Sequence, residues 1–244
     1  MTVGNFGVWK SEQTTARGRA VAPKLFLGAL LVGICASVLF LEETRIDLTI
    51  AHMLYVSPRR FIGSESIVFQ TIRSSFTVLF SIVCGLAAVG CVLAISLQRR
   101  WLGLSGRDWV YLSACLLIGP LTIANLGFKD HWGRPRPVAV REFGGDKAFS
   151  PPLMRSDQCE RNCSFVSGEA SSIYILCFAA AILFPGAAGV WISAGVLLGS
   201  VAGFVRMAEG GHFLSDVIFA GVFMGLTAGA VGMLFEVIAS ERYH

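Results

Sequence analysis

Charge is what this sequence has least of. Asp, Glu, Lys and Arg make up 15% of its 244 residues against 54% hydrophobic, which excludes both an ordinary water-soluble domain and a disordered chain. The apolar residues run unbroken, with neither a heptad nor a Gly-X-Y period, so coiled coil and collagen are excluded too. A strong excess of one charge sign is also missing. The formal net charge is +4, ordinary for a protein whose loops touch anionic lipid, and nucleic acid is not an expected partner. Metal-ligand spacing is absent as well. Cys159 and Cys163 have no second Cys or His pair beside them, so neither zinc nor any other cofactor is expected.

What fills the chain instead is apolar sequence in pieces long enough to cross a bilayer. A helix rising about 1.5 Å per residue needs about 20 residues to span about 30 Å of hydrocarbon. Leu25 to Leu41, Ser74 to Gln98, Trp109 to Phe128 and Val217 to Phe235 qualify or nearly so. Ala170 to Val205 carries no charge, and Pro185-Gly186 divides it into two short helices with a tight turn. The expectation is an all-α, polytopic membrane protein of six transmembrane helices, a single domain over residues 1–244. The run from Leu25 is longer than a signal core and lacks a clear small-residue cleavage site, so it reads as a retained anchor.

Two polar insertions interrupt this pattern, residues 42–73 and 129–169. With six spans both fall on one side, joined there by Arg206 to Asp216, and the termini fall on the other. Lys10, Arg17, Arg19 and Lys24 in the tail (1–24), with Arg99, Arg100 and Arg107 after the second span, mark the terminal side as cytoplasmic. The long loops, including the motif-bearing stretch 129–169, are therefore expected in the periplasm of a bacterial inner-membrane protein. Trp101, Trp109, Tyr111 and Trp132 fit interfacial belts, and residues 42–73 fit an amphipathic cover without a catalytic residue.

Cys35, Cys84, Cys91, Cys115 and Cys177 lie inside apolar runs, where a thiol behaves as a small buried hydrophobe. Cys159 and Cys163 lie in the outer loop. An oxidising compartment permits a disulfide there, which is the expectation, with two free thiols one helical turn apart as the alternative.

Three polar clusters stand too close to the bilayer to be without purpose. The first is Lys129-Asp130-His131-Trp132-Gly133-Arg134-Pro135-Arg136-Pro137, where two prolines stiffen a run of cationic groups suited to a phosphate dianion. A basic anchor reaching for lipid headgroups is the other reading. The second, Ser164-Phe165-Val166-Ser167-Gly168-Glu169-Ala170, opens the fourth apolar run. Uncovered N–H groups at a helix start make an anion site, although Ser167 reads equally as an N-cap. The third is Arg206, His212 and Asp216. On a helix the last two share a face, so the carboxylate can hold one imidazole nitrogen and leave the other free as a nucleophile.

Together the clusters resemble the phosphatidic acid phosphatase type 2 (PAP2) superfamily. Its first element, Lys, six residues, Arg-Pro, matches Lys129 and Arg136-Pro137. Its third, Ser-Arg, five residues, His, three residues, Asp, matches Arg206, His212 and Asp216, with Val205 at the Ser position. The middle element, Pro-Ser-Gly-His, reads Val166-Ser167-Gly168-Glu169. More narrowly, Lys129 through Val138, Gly145-Asp146-Lys147, Pro151-Pro152 and Asn162-Cys163-Ser164-Phe165-Val166 look like the bacterial lipid A 4'-phosphatases, a branch with an acidic residue in place of the second-motif His.

The resemblance implies a PAP2/chloroperoxidase-like helical bundle and metal-independent hydrolysis of a lipid-linked phosphate through a phosphohistidine. His212 would be the nucleophile and Asp216 its orienter. Lys129, Arg136, Ser167, Gly168 and Arg206 would cradle the phosphate, with Arg134 as a possible addition. Glu169 would be the general acid and His131 the reserve. Glu142, Asp146, Lys147, Arg155 and Arg161 would face solvent or a sugar. The implied partners are the bilayer and a lipid substrate, lipid A first. Undecaprenyl pyrophosphate, the 1-phosphate of lipid A and a non-catalytic lipid-phosphate binder are the alternatives.

Overall fold

The structure is a computed structural model that describes residues 5–97 and 100–241. Of the basic residues used to assign the terminal side, the side chains of Lys10, Arg17 and Arg19, and the whole of Arg99, lie outside the described residues. Among the described residues the α-helices are α1 (Asn5–Glu42), α2 (Ile46–Leu54), α3 (Ile67–Ser96), α4 (Gly106–Leu116), α5 (Gly168–Leu183), α6 (Ala188–Ala208) and α7 (Leu214–Glu241). A small hairpin, β1 (Tyr55–Ser57) and β2 (Arg60–Phe61), follows α2.

Among the described residues, five stretches are long and apolar enough to cross a membrane: Val21–Glu42, Ile67–Ala94, Gly106–Lys129, Pro185–Ala208 and Leu214–Ile238. The sixth expected span is α5, whose 16 residues rise only about 24 Å. Most of its side chains are buried, because it stands inside the bundle against α6 and α7. The long apolar run does break at Pro185, where a 3-10 turn (Pro185–Ala187) joins α5 to α6. Lipid-facing surface is plain on α3, where Val78, Leu79, Ile82, Val89 and Val92 are all exposed.

Helix α4 begins at a capping box formed by Ser105 and Asp108 and then widens into a π-helix, Leu117–Lys129. Pro120 lies within it. A proline has no N–H for the regular ladder and its ring crowds the preceding turn, a conflict the wider turn relieves. Thr122 Oγ1 donates to the Leu117 carbonyl at 2.9 Å and Asn125 Nδ2 to that of Pro120 at 2.7 Å, in the same five-residue stride. The π-helix ends on Lys129.

Two of the four aromatic residues expected in interfacial belts belong to the core instead. Trp109 is buried against Gly90, where a Cβ would come within 2.3 Å of the indole. Tyr111, also buried, donates its hydroxyl to the Ala228 carbonyl at 3.2 Å.

The three polar segments meet at one end of the bundle. Gly63 N–H donates to the Ala208 carbonyl at 2.7 Å and Arg59 N–H to that of Phe143 at 2.8 Å. Rings of Tyr55, Phe61 and Phe143 pack with centroids 5.4–5.9 Å apart. Residues 42–73 therefore cover this end, but they also send a buried carboxylate, Asp47, into it.

Candidate active site

The corner between α6 and α7 is set by helix-capping rules. Gly210 takes φ +69° and donates to the Met207 carbonyl at 2.9 Å, while Gly211 donates to that of Arg206 at 2.8 Å. These are the two bonds of a Schellman stop, which needs a left-handed residue just past the helix. Gly211 has a second constraint, since a Cβ there would sit 2.6 Å from the Arg206 guanidinium. The chain then delivers His212 and enters α7, where Asp216 in the first turn accepts from Phe213 N–H at 2.8 Å.

His212 thus precedes α7, and it does not share a helical face with Asp216 as the four-residue spacing predicts. Its Nδ1 lies 3.6 Å from Asp216 Oδ2 but 2.7 Å from the Ser164 carbonyl oxygen. A carbonyl only accepts, so Nδ1 carries a proton, and the tautomer with that proton has its lone pair on Nε2. Nε2 is buried without a hydrogen-bond partner, 3.8 Å from Glu169 Oε2.

Asp216 is fully buried and held from three directions. Besides Phe213 N–H, it accepts from the Ser164 hydroxyl and from Arg134 Nη1, the latter at 2.5 Å. Ser164 therefore links the pair, its hydroxyl on Asp216 and its carbonyl on His212.

Arg134 belongs to this scaffold and not to a phosphate site. It is fully buried, donating Nε to the Ser150 carbonyl at 2.9 Å, Nη1 to Ser215 Oγ at 2.8 Å and Nη2 to Asp47 at 2.7 Å. Phe149 and Phe213 face its guanidinium. Asp47 also accepts from Ser215 N–H at 2.9 Å and Ser215 Oγ at 2.5 Å, so a carboxylate from α2 caps the positive end of α7.

Helix α5 starts beside this scaffold. Ser167 is its N-cap, accepting from Ala170 N–H at 3.4 Å, and its own N–H donates to the Asp216 carbonyl at 3.2 Å. The Gly168 and Glu169 N–H groups come first in the helix, where no intrahelical acceptor exists. Lys129 approaches here so closely that a Cβ on Gly168 would stand 2.8 Å from Nζ. The ammonium thus rests on the helix start beside Asn125, in a cavity that Arg73 and Glu169 also line.

Arg136 forms the opposite wall. Its guanidinium donates to the Asn162 carbonyl at 2.9 Å and to Asn162 Oδ1 at 2.7 Å. Asn162 sits in a short loop closed by a disulfide between Cys159 and Cys163, whose Cα atoms are 5.7 Å apart. Cys163 N–H donates to the Lys129 carbonyl at 2.9 Å, so one loop ties both cations of the first motif.

Four charged groups close the mouth. Arg206 pairs with Glu169 at 3.1 Å and with Glu209, and Arg73 pairs with Glu169 at 3.3 Å and Glu209 at 3.5 Å. Two guanidiniums on Glu169 favour its ionised form. His131 lies elsewhere. Its Nδ1 donates to the Leu126 carbonyl at 2.8 Å, and it lines a separate, mostly apolar cavity with Trp132 and Arg155. That removes its geometric case as reserve acid.

The site therefore gathers Lys129, Arg136, Ser167, Gly168, Glu169, Arg206, His212 and Asp216, and excludes His131 and Arg134. Sequence reasoning missed Asp47, Arg73, Ser164 and Glu209. A buried acid in a short amphipathic helix was the only available sign of Asp47, and a cation on the edge of an apolar run the only sign of Arg73.

A family model described as the PAP2 superfamily matches residues 108–238. The chain is 35% identical over 207 residues to a protein named lipid A 4'-phosphatase from Francisella tularensis subsp. novicida (strain U112), covering 83% of this chain and 91% of that one. It is 39% identical over 104 residues to a protein of the same name from Rhizobium leguminosarum, covering 42% and 44% respectively. No solved structure matches the chain. With the family model taking in more than half of the chain, including Lys129 to Asp216, the chain belongs to the PAP2 superfamily and is a phosphatase of that type.

Proposed function

We propose that this phosphatase removes the 4'-phosphate of lipid A at the periplasmic face of the inner membrane, through a phosphohistidine on His212. The observation that carries the reading is the hydrogen bond of His212. Nδ1 donates to the Ser164 carbonyl at 2.7 Å, and Nε2, 3.8 Å from the Glu169 carboxylate that Arg206 pairs, has no hydrogen-bond partner among the described residues.

In the first step the Nε2 lone pair forms the N–P bond as the P–O bond to the sugar breaks. Charge spreads over the transferring oxygens, and the cations together with the Gly168 and Glu169 N–H groups stabilise it in place. Asp216, held by Arg134 and the Ser164 hydroxyl, steadies the imidazolium that develops. The leaving sugar oxygen takes a proton from Glu169. This carboxylate is paired with Arg206 and Arg73 in the free enzyme. A bound dianion draws those guanidiniums away and places negative charge beside it, which favours proton uptake. In the second step Glu169 accepts a proton from water as the water oxygen attacks phosphorus, the N–P bond breaks, and phosphate and neutral His212 are regenerated.

The substrate rests on the names of the relatives, and the side on the basic residues flanking the first and second spans. Mass spectrometry of lipid A from cells with and without the chain tests both phosphate and position. The expected product lacks the 4'-phosphate, and His212→Ala yields none. Loss of the 1-phosphate instead, or equal loss with His212→Ala, overturns the reading.

A further inference from the structure

Arg73, Glu169, Arg206 and Glu209 form a closed ring of alternating charge, in which each carboxylate faces both guanidiniums. The ring is electrically balanced but poorly hydrogen bonded. Among the described residues, buried Glu209 Oε1 has no hydrogen-bond partner, like the neighbouring His212 Nε2, and Arg206 Nε lies 3.1 Å from Glu169 Oε1 as an ion pair without an aligned hydrogen bond. A phosphoryl group bonding to Nε2 must pass within reach of Glu169 Oε2, only 3.8 Å from that nitrogen. It therefore enters the ring, where a dianion is repelled by both carboxylates and attracted by both guanidiniums.

Three members of the ring are well enclosed, the side chains of Glu169, Glu209 and Arg206 being 22%, 10% and 7% exposed. Arg73 is 45% exposed and stands on the wall shared by two cavities. One holds Lys129 and Glu169, and the other holds Arg136, Arg206 and Glu209. Its guanidinium thus lies at the junction of the two cationic walls of the cradle. It comes from α3, outside residues 108–238 that the family model matches.

We infer that Arg73 is a further substrate-binding residue, which exchanges Glu169 and Glu209 for the oxygens of the lipid phosphate monoester as the substrate enters. The two glutamates are resident competitors. They keep the guanidiniums oriented while the cradle is empty, and the incoming dianion displaces them. A fork of planar donors suits that exchange, because a guanidinium can engage carboxylate or phosphate oxygens in the same geometry. The inference rests on the phosphatase reading of the same site.

The test compares KM for the lipid phosphate and competitive inhibition by inorganic phosphate, in detergent-solubilised full-length wild type, Arg73→Ala, Arg73→Lys and Glu209→Gln. Removing the charged donor raises both constants about tenfold or more, and lysine recovers part of the loss. Glu209→Gln moves both constants the other way, since it removes a competitor. If Glu209→Gln weakens phosphate as Arg73→Ala does, Arg73 is only a structural partner of Glu209 and the inference is overturned. Unchanged constants in Arg73→Ala overturn it equally. Should Arg73→Ala fail to fold, the direction of the Glu209→Gln change decides alone. Failure of the underlying reading is separately visible, as equal phosphate release by wild type and His212→Ala.

Discussion

Ser164 holds His212 through its main-chain carbonyl, at 2.7 Å from Nδ1, while its hydroxyl holds Asp216. Because a backbone acceptor sets the tautomer, removing the hydroxyl leaves the Nε2 lone pair in place but loosens the carboxylate that, in the proposed mechanism, steadies the developing imidazolium. Ser164→Ala is expected to lower kcat by about 10- to 100-fold, the worth of one hydrogen bond to a charged group, with KM little changed. His212→Ala should abolish turnover. Steady-state kinetics on the lipid phosphate reads both, and a rise in KM at constant kcat would assign Ser164 to binding instead.

Asp47 and Arg134 make the second link, a fully buried pair 2.7 Å apart. Asp47→Ala takes the acceptor from Arg134 Nη2 and from the Ser215 N–H and hydroxyl, uncapping α7, while Asp216 still pairs with the guanidinium. A buried donor left unsatisfied costs about 1–3 kcal/mol, so the thermal midpoint in detergent should fall by several degrees or more. Asp146→Ala, which removes one side of an exposed pair with Arg59, should leave it unchanged. Equal melting of the two variants would refute the scaffold role.

The contrast between these residues shows what the sequence could disclose. Lys129 to Arg136 and Arg206 to Asp216 are short-range spacings, and each is pinned by local geometry: a π-helix end and a Pro-stiffened run in one case, a double-glycine helix stop in the other. Six apolar runs, and their break at Pro185, were equally legible because bilayer thickness imposes a length. Arg134 and Arg136 are told apart only by the family motif, since each is followed by a proline and only the tertiary packing sends one into the scaffold and the other to the rim. Asp47 lies 87 residues from Arg134 in sequence, and Arg73 meets Glu169 and Glu209 across an even longer separation. No local period marks such pairs. The π-helix was hidden for a related reason: its apolar composition is that of an ordinary span, and only Pro120 hinted at the wider turn.

The disulfide loop is expected to bear on substrate affinity more than on chemistry. Asn162, inside it, fixes Arg136 through two acceptors, and Cys163 anchors the Lys129 carbonyl. Opening the loop in a Cys159→Ser, Cys163→Ser double variant should free Arg136 to sample other rotamers. We expect KM to rise several-fold, with kcat within about twofold of wild type, because the ordering of a long charged side chain then falls on the binding step. A change confined to kcat would mean that the loop serves the reacting atoms directly.

Glu169 presents the sharpest test of the chemistry. Its carboxylate is paired with two guanidiniums in the free enzyme, yet the proposed first step needs it to give a proton to the leaving sugar oxygen. Glutamine keeps the size and a hydrogen-bond acceptor but has no acidic proton. If Glu169 protonates the leaving group, Glu169→Gln should slow a substrate with a poor, alkoxide-type leaving group by about 100-fold or more. An aryl phosphate whose leaving group departs unprotonated should lose far less in the first step. Burst kinetics separates that step from breakdown of the proposed phosphohistidine, where the same carboxylate would act as base and both substrates would share one intermediate. Equal first-step losses for the two substrates would leave Glu169 as a counter-ion for Arg206 and Arg73 and nothing more, and the proton would then have to reach the leaving oxygen from solvent.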